Sequence, residues 1–283
     1  MRVSVIMFQK EMIHYYQSKI REVIHNYHLA YEKNDPDGIH DLRVALKRLK
    51  AFFNLVESIN PTFKAKKKFK YFQKIAKNTT VLRDVQVQQT IVEEMKQTFN
   101  LDMSDYSSFM KKKESENREK FQEFSKLNPL EKLEQNTKYL TRALQNITPV
   151  YSETKAHGRF FNLRSNLILL TNGNDLKDEI LHTLRILSKE THYTIEIIQQ
   201  CFHMFEDRTD FINEIKKVHQ VLGKWHDYYI SVVYLTDFMT DNSIDSSEKP
   251  YHTMLQYLRK EKDTYKNNIH TAFGEFTKIA QTF

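Results

Sequence analysis

At 283 residues, 40% of them hydrophobic, the chain is long enough for one large domain or two small ones with a real core. Only 5 Gly and 5 Pro occur, and because both punctuate turns their scarcity predicts long helices with few connections. The formal net charge of +7 favours anionic partners, and a single cysteine, Cys201, excludes an internal disulfide framework and reads as a core thiol.

The first amphipathic segment runs over residues 5–33. Asn34-Asp35-Pro36 stops it and starts the next, since Asp or Asn caps a helix and Pro suits its first turn. A second helix is predicted over 36–59, ended by Asn60-Pro61, and a third, dense in lysine, over 62–78. Thr79-Thr80 marks a break before a helix over 83–99. A polar, charged helix follows over 104–126, and Asn128-Pro129 separates it from another over 130–146. Thr148-Pro149 is the internal boundary. Beyond it the same order returns, with helices over 151–171, 175–206, 209–222, 226–240 and 248–281, and clear loops at 172–175 and 241–249. No alternating strand pattern occurs. The class is therefore all-α, with long antiparallel helices in two similar bundles side by side, one from residues 1–148 and one from 149–283.

The N-terminus lacks a basic segment followed by an apolar run and a small-residue cleavage site. The richest apolar stretch, 160–170, is interrupted by Asn162, Arg164, Ser165 and Asn166, too short and polar to span a membrane. A cytoplasmic protein with no membrane partner is expected. Charge is uneven: Lys and Arg outnumber Asp and Glu 27 to 18 over residues 1–150, and fall short 16 to 18 over residues 151–283. An anionic partner should lean on the first half.

His40, Arg43, Lys47 and Lys50 are echoed in the second half by His182, Arg185, Lys189 and His192. At about 100° per residue each set falls within roughly 80° of helix circumference. Ala45, Leu46, Leu49, Phe52, Phe53 and Val56 form the adjoining apolar arc of the first copy, and Leu184, Leu187, Ile195 and Ile198 that of the second. The cations thus border a helix–helix seam and should line a groove that grips a long anion. Arg48 lies off the row, placed to flank it or to pair with an acid. Tyr193 lies near the His182 face and can donate a hydrogen bond. In the lysine-rich helix Lys64, Lys67, Tyr71, Lys74 and Asn78 share one face.

A third element recurs. Val81-Leu82-Arg83-Asp84-Val85 matches Lys224-Trp225-His226-Asp227-Tyr228. Asp84 and Asp227 stand where helices are predicted to begin, so capping is their simplest role. Arg83 and His226 add a cation near each helix start, where backbone amides already favour anions. Lys74 and Lys217 form a further matched pair upstream.

The run His40-Asp41-Leu42-Arg43-Val44-Ala45-Leu46-Lys47-Arg48-Leu49-Lys50 resembles the signature of the CHAD family, the conserved histidine α-helical domain. Leu82-Arg83-Asp84-Val85 and Leu222-Gly223-Lys224-Trp225-His226-Asp227 are similar to its second motif, and His182-Thr183-Leu184-Arg185 through Tyr193 to the second copy of the first. The resemblance spans nearly the whole chain. It implies two pseudo-symmetric four-helix bundles and a basic channel that binds inorganic polyphosphate, with association to polyphosphate granules as a corollary. Members can be fused to a CYTH triphosphatase domain with a Glu-x-Glu-x-Lys motif. Here the nearest match, Glu114-Ser115-Glu116-Asn117-Arg118, ends in Arg within a helical stretch, so no triphosphatase activity is carried over. Ser188 and His192 stand where the family favours basic residues, Glu190 where the first copy has Arg48, and Thr80 where Gly223 keeps a glycine. The second half should bind more weakly and, through His192, with more pH dependence.

The expected binding set is His40, Arg43, Lys47, Arg48, Lys50, Lys67, Lys74, Arg83, His182, Arg185, Lys189, His192, Tyr193, Lys217 and His226. Arg43 and Arg185 can fork onto phosphate oxygens, Lys47, Lys74 and Lys189 act as point charges, and His40 and His182 donate N–H groups. Sequence-independent nucleic-acid binding is the alternative, disfavoured because a row beside a seam lines a concavity too enclosed for a duplex. A phosphate-processing enzyme is a third reading. No phosphate loop, nucleophile elbow or carboxylate cluster supports it, and Arg43 and Arg185 stand where a metal-binding His40 or His182 would need a ligand. The expectation is a binding protein with no catalytic residues, metal or cofactor.

Overall fold

The computed structural model describes residues 5–33, 35–128, 137–145, 147–171, 176–245 and 247–281. Its helices are α1 (Val5–Glu32), α2 (Pro36–Ile59), α3 (Ala65–Asn78), α4 (Thr80–Phe99), α5 (Ser104–Leu127), α6 (Thr137–Leu144), α7 (Pro149–Thr171), α8 (Asp178–Phe202), α9 (Thr209–Asp241) and α10 (Lys249–Gln281). Among the described residues there is no strand, and the protein is all-α. The start of the helix expected over 130–146 and the loop at 172–175 lie outside the described residues, as does position 246 of the loop expected over 241–249. No helix among the described residues is long and apolar enough to cross a membrane.

The sequence signals act where expected at the first turn of the path. Asp35 caps α2, its carboxylate accepting from the Asp37 amide at 2.9 Å. A Cβ on Gly38 would stand 2.7 Å from Leu29 Cβ, so only glycine lets α2 start this close against α1. At the other end of α2, Asn60 stops the helix. Its amide donates to Ala143 O at 2.8 Å and its Oδ1 accepts from the Thr62 amide at 3.0 Å. Between α3 and α4 a single residue, Thr79, turns the chain, with the Thr79 and Thr80 hydroxyls donating to Ile75 O and Ala76 O at 3.1 and 2.9 Å.

One expected boundary is absent. The segments 209–222 and 226–240 form a single helix of 33 residues. Gly223 lowers helix propensity by only about 1 kcal/mol relative to Ala, and the buried stripe Ile215, Val218, Leu222, Trp225 keeps its spacing straight through it. Asp227 is therefore mid-helix, and Asp84 sits one turn inside α4, whose N-cap is Thr79. Neither aspartate is a cap, and the capping role expected for them is corrected.

Buried apolar side chains form two clusters. The larger gathers α1, α2, α3, α7 and α8 with the first half of α9 and the end of α10, as in Phe52, Phe72, Phe160, Phe211, Trp225 and Phe276. The smaller joins α4 and α5 to the second half of α9 and the start of α10, through Val85, Met95, Tyr106, Phe238, Met254 and Leu258. Each buried aromatic or large aliphatic side chain contributes roughly 1.5–3 kcal/mol. Neither cluster is confined to one side of residue 148. The long pair α9–α10 runs through both, and α2 and α8 lie against each other. This last contact brings the two histidine-bearing helices together.

Candidate anion-binding site

α2 and α8 turn their cationic faces toward a common hollow. A cavity of ≈ 160 Å³ is lined by His40, Arg43 and Lys47 of α2 and by Arg185 and Lys189 of α8. α4 closes it with Arg83, Asp84 and Gln88, and α9 with Gly223, His226 and Asp227. Two more cavities adjoin it. One of ≈ 370 Å³ lies between α2 and α3 and includes Arg43, Lys47, Lys50, Gln73, Lys77 and Thr80. One of ≈ 210 Å³ lies between α2 and α8 and includes Lys47, Lys50, Asn54, Arg185, Lys189 and Tyr193. Lys47 lines all three, so they meet at its side chain as one branched trough.

Of the cations, Arg43 is anchored from behind. Arg43 Nη1 donates to Ala76 O at 2.9 Å and Thr80 Oγ1 at 3.0 Å, holding the guanidinium at the carbonyl end of α3. Arg185 Nε is buried without a hydrogen-bond partner. Among the described residues no carboxylate comes within 4.0 Å of Arg43, Lys47, Arg185 or Lys189. Asp84 and Asp227 are near enough to act through space, and burial pushes both carboxyls up despite the pull of Arg43 and Arg185 on Asp84 and of Arg185 and Lys189 on Asp227.

The crowding shows in the ionisation of the amines. Burial, then Lys189, Arg43, Arg185 and Arg83, take Lys47 from its ordinary value down to about 6. Burial and Arg185 bring Lys189 to about 8. His226 falls to about 3 through burial, Arg185 and His182, and His40 is lowered by burial and Arg83. Both guanidinium groups are also lowered, burial first. Each shift has the sign expected of cations removed from water and held beside like charge with too little negative charge nearby. An anion in the trough would reverse it.

The structure gathers His40, Arg43, Lys47, Lys50, Arg83, Arg185, Lys189, Tyr193 and His226 around these cavities. His182 is exposed at the rim, its ring centroid 5.8 Å from that of His226. The remaining residues of the expected set lie elsewhere. Arg48 Nε reaches Glu196 at 3.3 Å, and its guanidinium sits 5.5 Å from the Tyr193 ring, behind the wall of the trough. His192 is 4% exposed, 3.3 Å from Glu196 and 5.0 Å from the His219 ring. It is enclosed because residues 191–195 of α8 are all buried by surrounding helices. Lys217 is exposed and pairs with Glu214 at 2.6 Å. Lys67 and Lys74 are exposed on α3 and line none of the three cavities, being roughly 60–120° round the helix from Gln73 and Lys77.

Lining residues absent from the expected binding set include Lys77, Gln88, Asp84 and Asp227. Lys77 was one lysine among many on α3, and its value comes from the Arg43–Ala76 contact that turns the end of α3 toward α2. Gln88 is fully buried at the first cavity with both amide atoms unpartnered. Asp84 and Asp227 were visible as a matched pair, but their assignment hung on helix starts that are not there. Among the described residues no three His, Cys, Asp or Glu side chains are grouped so as to hold a metal ion.

The sequence profile of the CHAD domain matches residues 14–235. The crystal structure of the CHAD domain from the plant Ricinus communis superposes with a TM-score of 0.75 at 12% identity, covering 98% of this chain and 93% of that one. PptA from Streptomyces chartreusis superposes with a TM-score of 0.57 at 10% identity, covering 96% and 99%. At these identities the likeness is one of fold. No curated protein matches the sequence. With the profile spanning most of the sequence and the fold shared end to end, the chain belongs to the CHAD domain family.

Proposed function

We propose that this protein binds inorganic polyphosphate in the trough between α2 and α8 and leaves it chemically unchanged. The observation that carries this reading is the state of Lys47, an amine at the junction of three cavities, surrounded by Lys189, Arg43, Arg185 and Arg83 and lacking an ion-pair partner among the described residues. Such a cluster is unfavourable when empty and is relieved by a dense, flexible polyanion. Polyphosphate has a negative charge on every residue and no side groups to obstruct a narrow passage. Arg43 and Arg185 would take two oxygens of one phosphate, while Lys47, Lys189 and Lys50 neutralise its neighbours.

In this reading residues 1–148 and 149–283 are two copies of one helical unit, each giving one cationic helix and one basic–Asp pair to a shared site. The protein acts in the cytoplasm, where association with polyphosphate granules follows from the ligand. A nucleic-acid duplex fits less well, because the cations lie in cavities of ≈ 160 to ≈ 370 Å³ and not on an open face. Calorimetric titration with polyphosphate and with DNA at matched charge and salt tests the assignment. Equal or tighter binding of DNA overturns it. Release of phosphate from polyphosphate by the purified protein, lost in His40→Ala, overturns the non-catalytic part.

A further inference from the structure

One branch of the trough does not suit a bare phosphate chain. The cavity between α2 and α8 has an apolar wall made by Ala51, Ile186 and Tyr193, and Lys47, Lys50, Arg185 and Lys189 also line it. Ile186 is 48% exposed, a large aliphatic side chain set beside a charged cleft. An inorganic polyanion has nothing to bury against such a wall. At ≈ 210 Å³ the branch is also smaller than the roughly 300–1,000 Å³ of a pocket for a whole ligand, which suits one flat end group with the rest of the ligand outside.

The polar edge of this branch narrows the choice. Asn54 Nδ2 donates to Glu190 Oε1 at 2.9 Å, and Arg159 pairs with the same carboxylate. One of the two Nδ2 hydrogens is thereby turned to Glu190, leaving Asn54 Oδ1 and Glu190 Oε2 to accept beside one remaining N–H. Two acceptors beside one donor select a ring that presents N–H donors beside an acceptor, and guanine offers the exocyclic amine and the ring N1–H next to O6.

We infer that the protein binds guanine nucleoside triphosphates, with the phosphates on Lys47, Arg185 and Lys189 and the base in the branch walled by Ala51, Ile186 and Tyr193. The inference rests on the phosphate-binding reading of those three cations and adds the base site to it. GTP and long polyphosphate would then compete for one junction.

The test is calorimetric titration of the full chain with GTP, ATP and inorganic tripolyphosphate in one magnesium-free buffer. GTP should bind about ten-fold tighter than tripolyphosphate, the gain expected from placing one base against an apolar and aromatic wall, and tighter than ATP. Ile186→Ser, at an exposed position, should cost GTP about five-fold and leave tripolyphosphate unchanged. Equal affinity for GTP and tripolyphosphate overturns the base site, and so does a GTP preference that survives Ile186→Ser intact. ATP binding as tightly as GTP overturns the reading of the acceptor edge. Failure of tripolyphosphate together with GTP would instead strike at the phosphate site itself.

Discussion

Replacing Lys47 with Met is expected to stabilise the free protein while weakening its hold on polyphosphate. Lys47 stands where three cavities meet, and burial with four neighbouring cations takes its ammonium down to about 6. The unfolded chain keeps the ordinary lysine value, so between about 6 and 10.5 it binds more protons than the folded protein. Stability contributed at this site therefore rises with pH across that window and is poorest below pH 6. Methionine has similar length and no charge. Exchanging buried charges for apolar groups of similar volume is worth about 1–4 kcal/mol, a Tm gain of several degrees for a chain of this size.

Polyphosphate should reverse the shift. At pH 7 an amine of pKa about 6 is mostly neutral, and phosphate oxygens beside it would protonate it, so binding takes up most of a proton at Lys47. Titrations in buffers of different ionisation enthalpy read this number as the slope of observed heat against buffer heat. The slope should be positive in the wild type and smaller by most of a proton in Lys47→Met, and affinity should fall as pH rises above 6. No proton uptake by the wild type, or the same uptake in Lys47→Met, would refute the account of a cation cluster awaiting an anion.

Gly223 lines the first cavity, and a Cβ there meets nothing within 4 Å. Gly223→Ala should raise stability by about 0.5–1 kcal/mol, as for any glycine in mid-helix, whereas Gly223→Leu should fill the cavity and lower polyphosphate affinity about ten-fold or more without lowering Tm, both checked by thermal melts beside titration. Arg48→Ala should do the opposite. It breaks the contact with Glu196 behind Tyr193, so Tm falls while polyphosphate affinity stays within two- to three-fold of wild type. Burial raises the Glu196 carboxyl, but His192 and Arg48 outweigh it and hold it at about 2. With a folded value below the unfolded 4.5, its contribution is complete above that pH and is lost as pH falls toward 2. Glu196→Gln should therefore narrow the stability gap between pH 6 and pH 3 in denaturant titrations. About five phosphates held by cations predict that raising salt from 50 to 200 mM weakens binding on the order of 100-fold.

The helical class, most helix ends and the cationic faces of α2 and α8 could be read directly, because period and capping chemistry are local. Asp35-Pro36 and Asn60-Pro61 announced themselves in this way. What local rules cannot supply is the neighbour that covers a face. His192 shares the angular position of Lys50 on its own helix, yet α8 is enclosed there and α2 is open, so one residue is buried and the other lines two cavities. Lys74 stands in the expected set and Lys77 does not for the same reason, since the side of α3 that meets α2 is set by tertiary packing. Two helices are expected over 209–222 and 226–240, but a continuous apolar stripe runs through Gly223 and carries Asp227 into the middle of α9.

The most direct measurement compares two double variants by calorimetric titration with long-chain polyphosphate. Arg43→Gln with Lys47→Met removes two cations from the trough, and Lys111→Gln with Lys112→Met removes two exposed ones from α5. Charge-assisted contacts of about 1.5–3 kcal/mol each predict a loss of at least about 100-fold for the first pair, and a change within about two-fold for the second. Equal losses from both pairs would contradict the trough and leave only diffuse attraction between a basic protein and an anion.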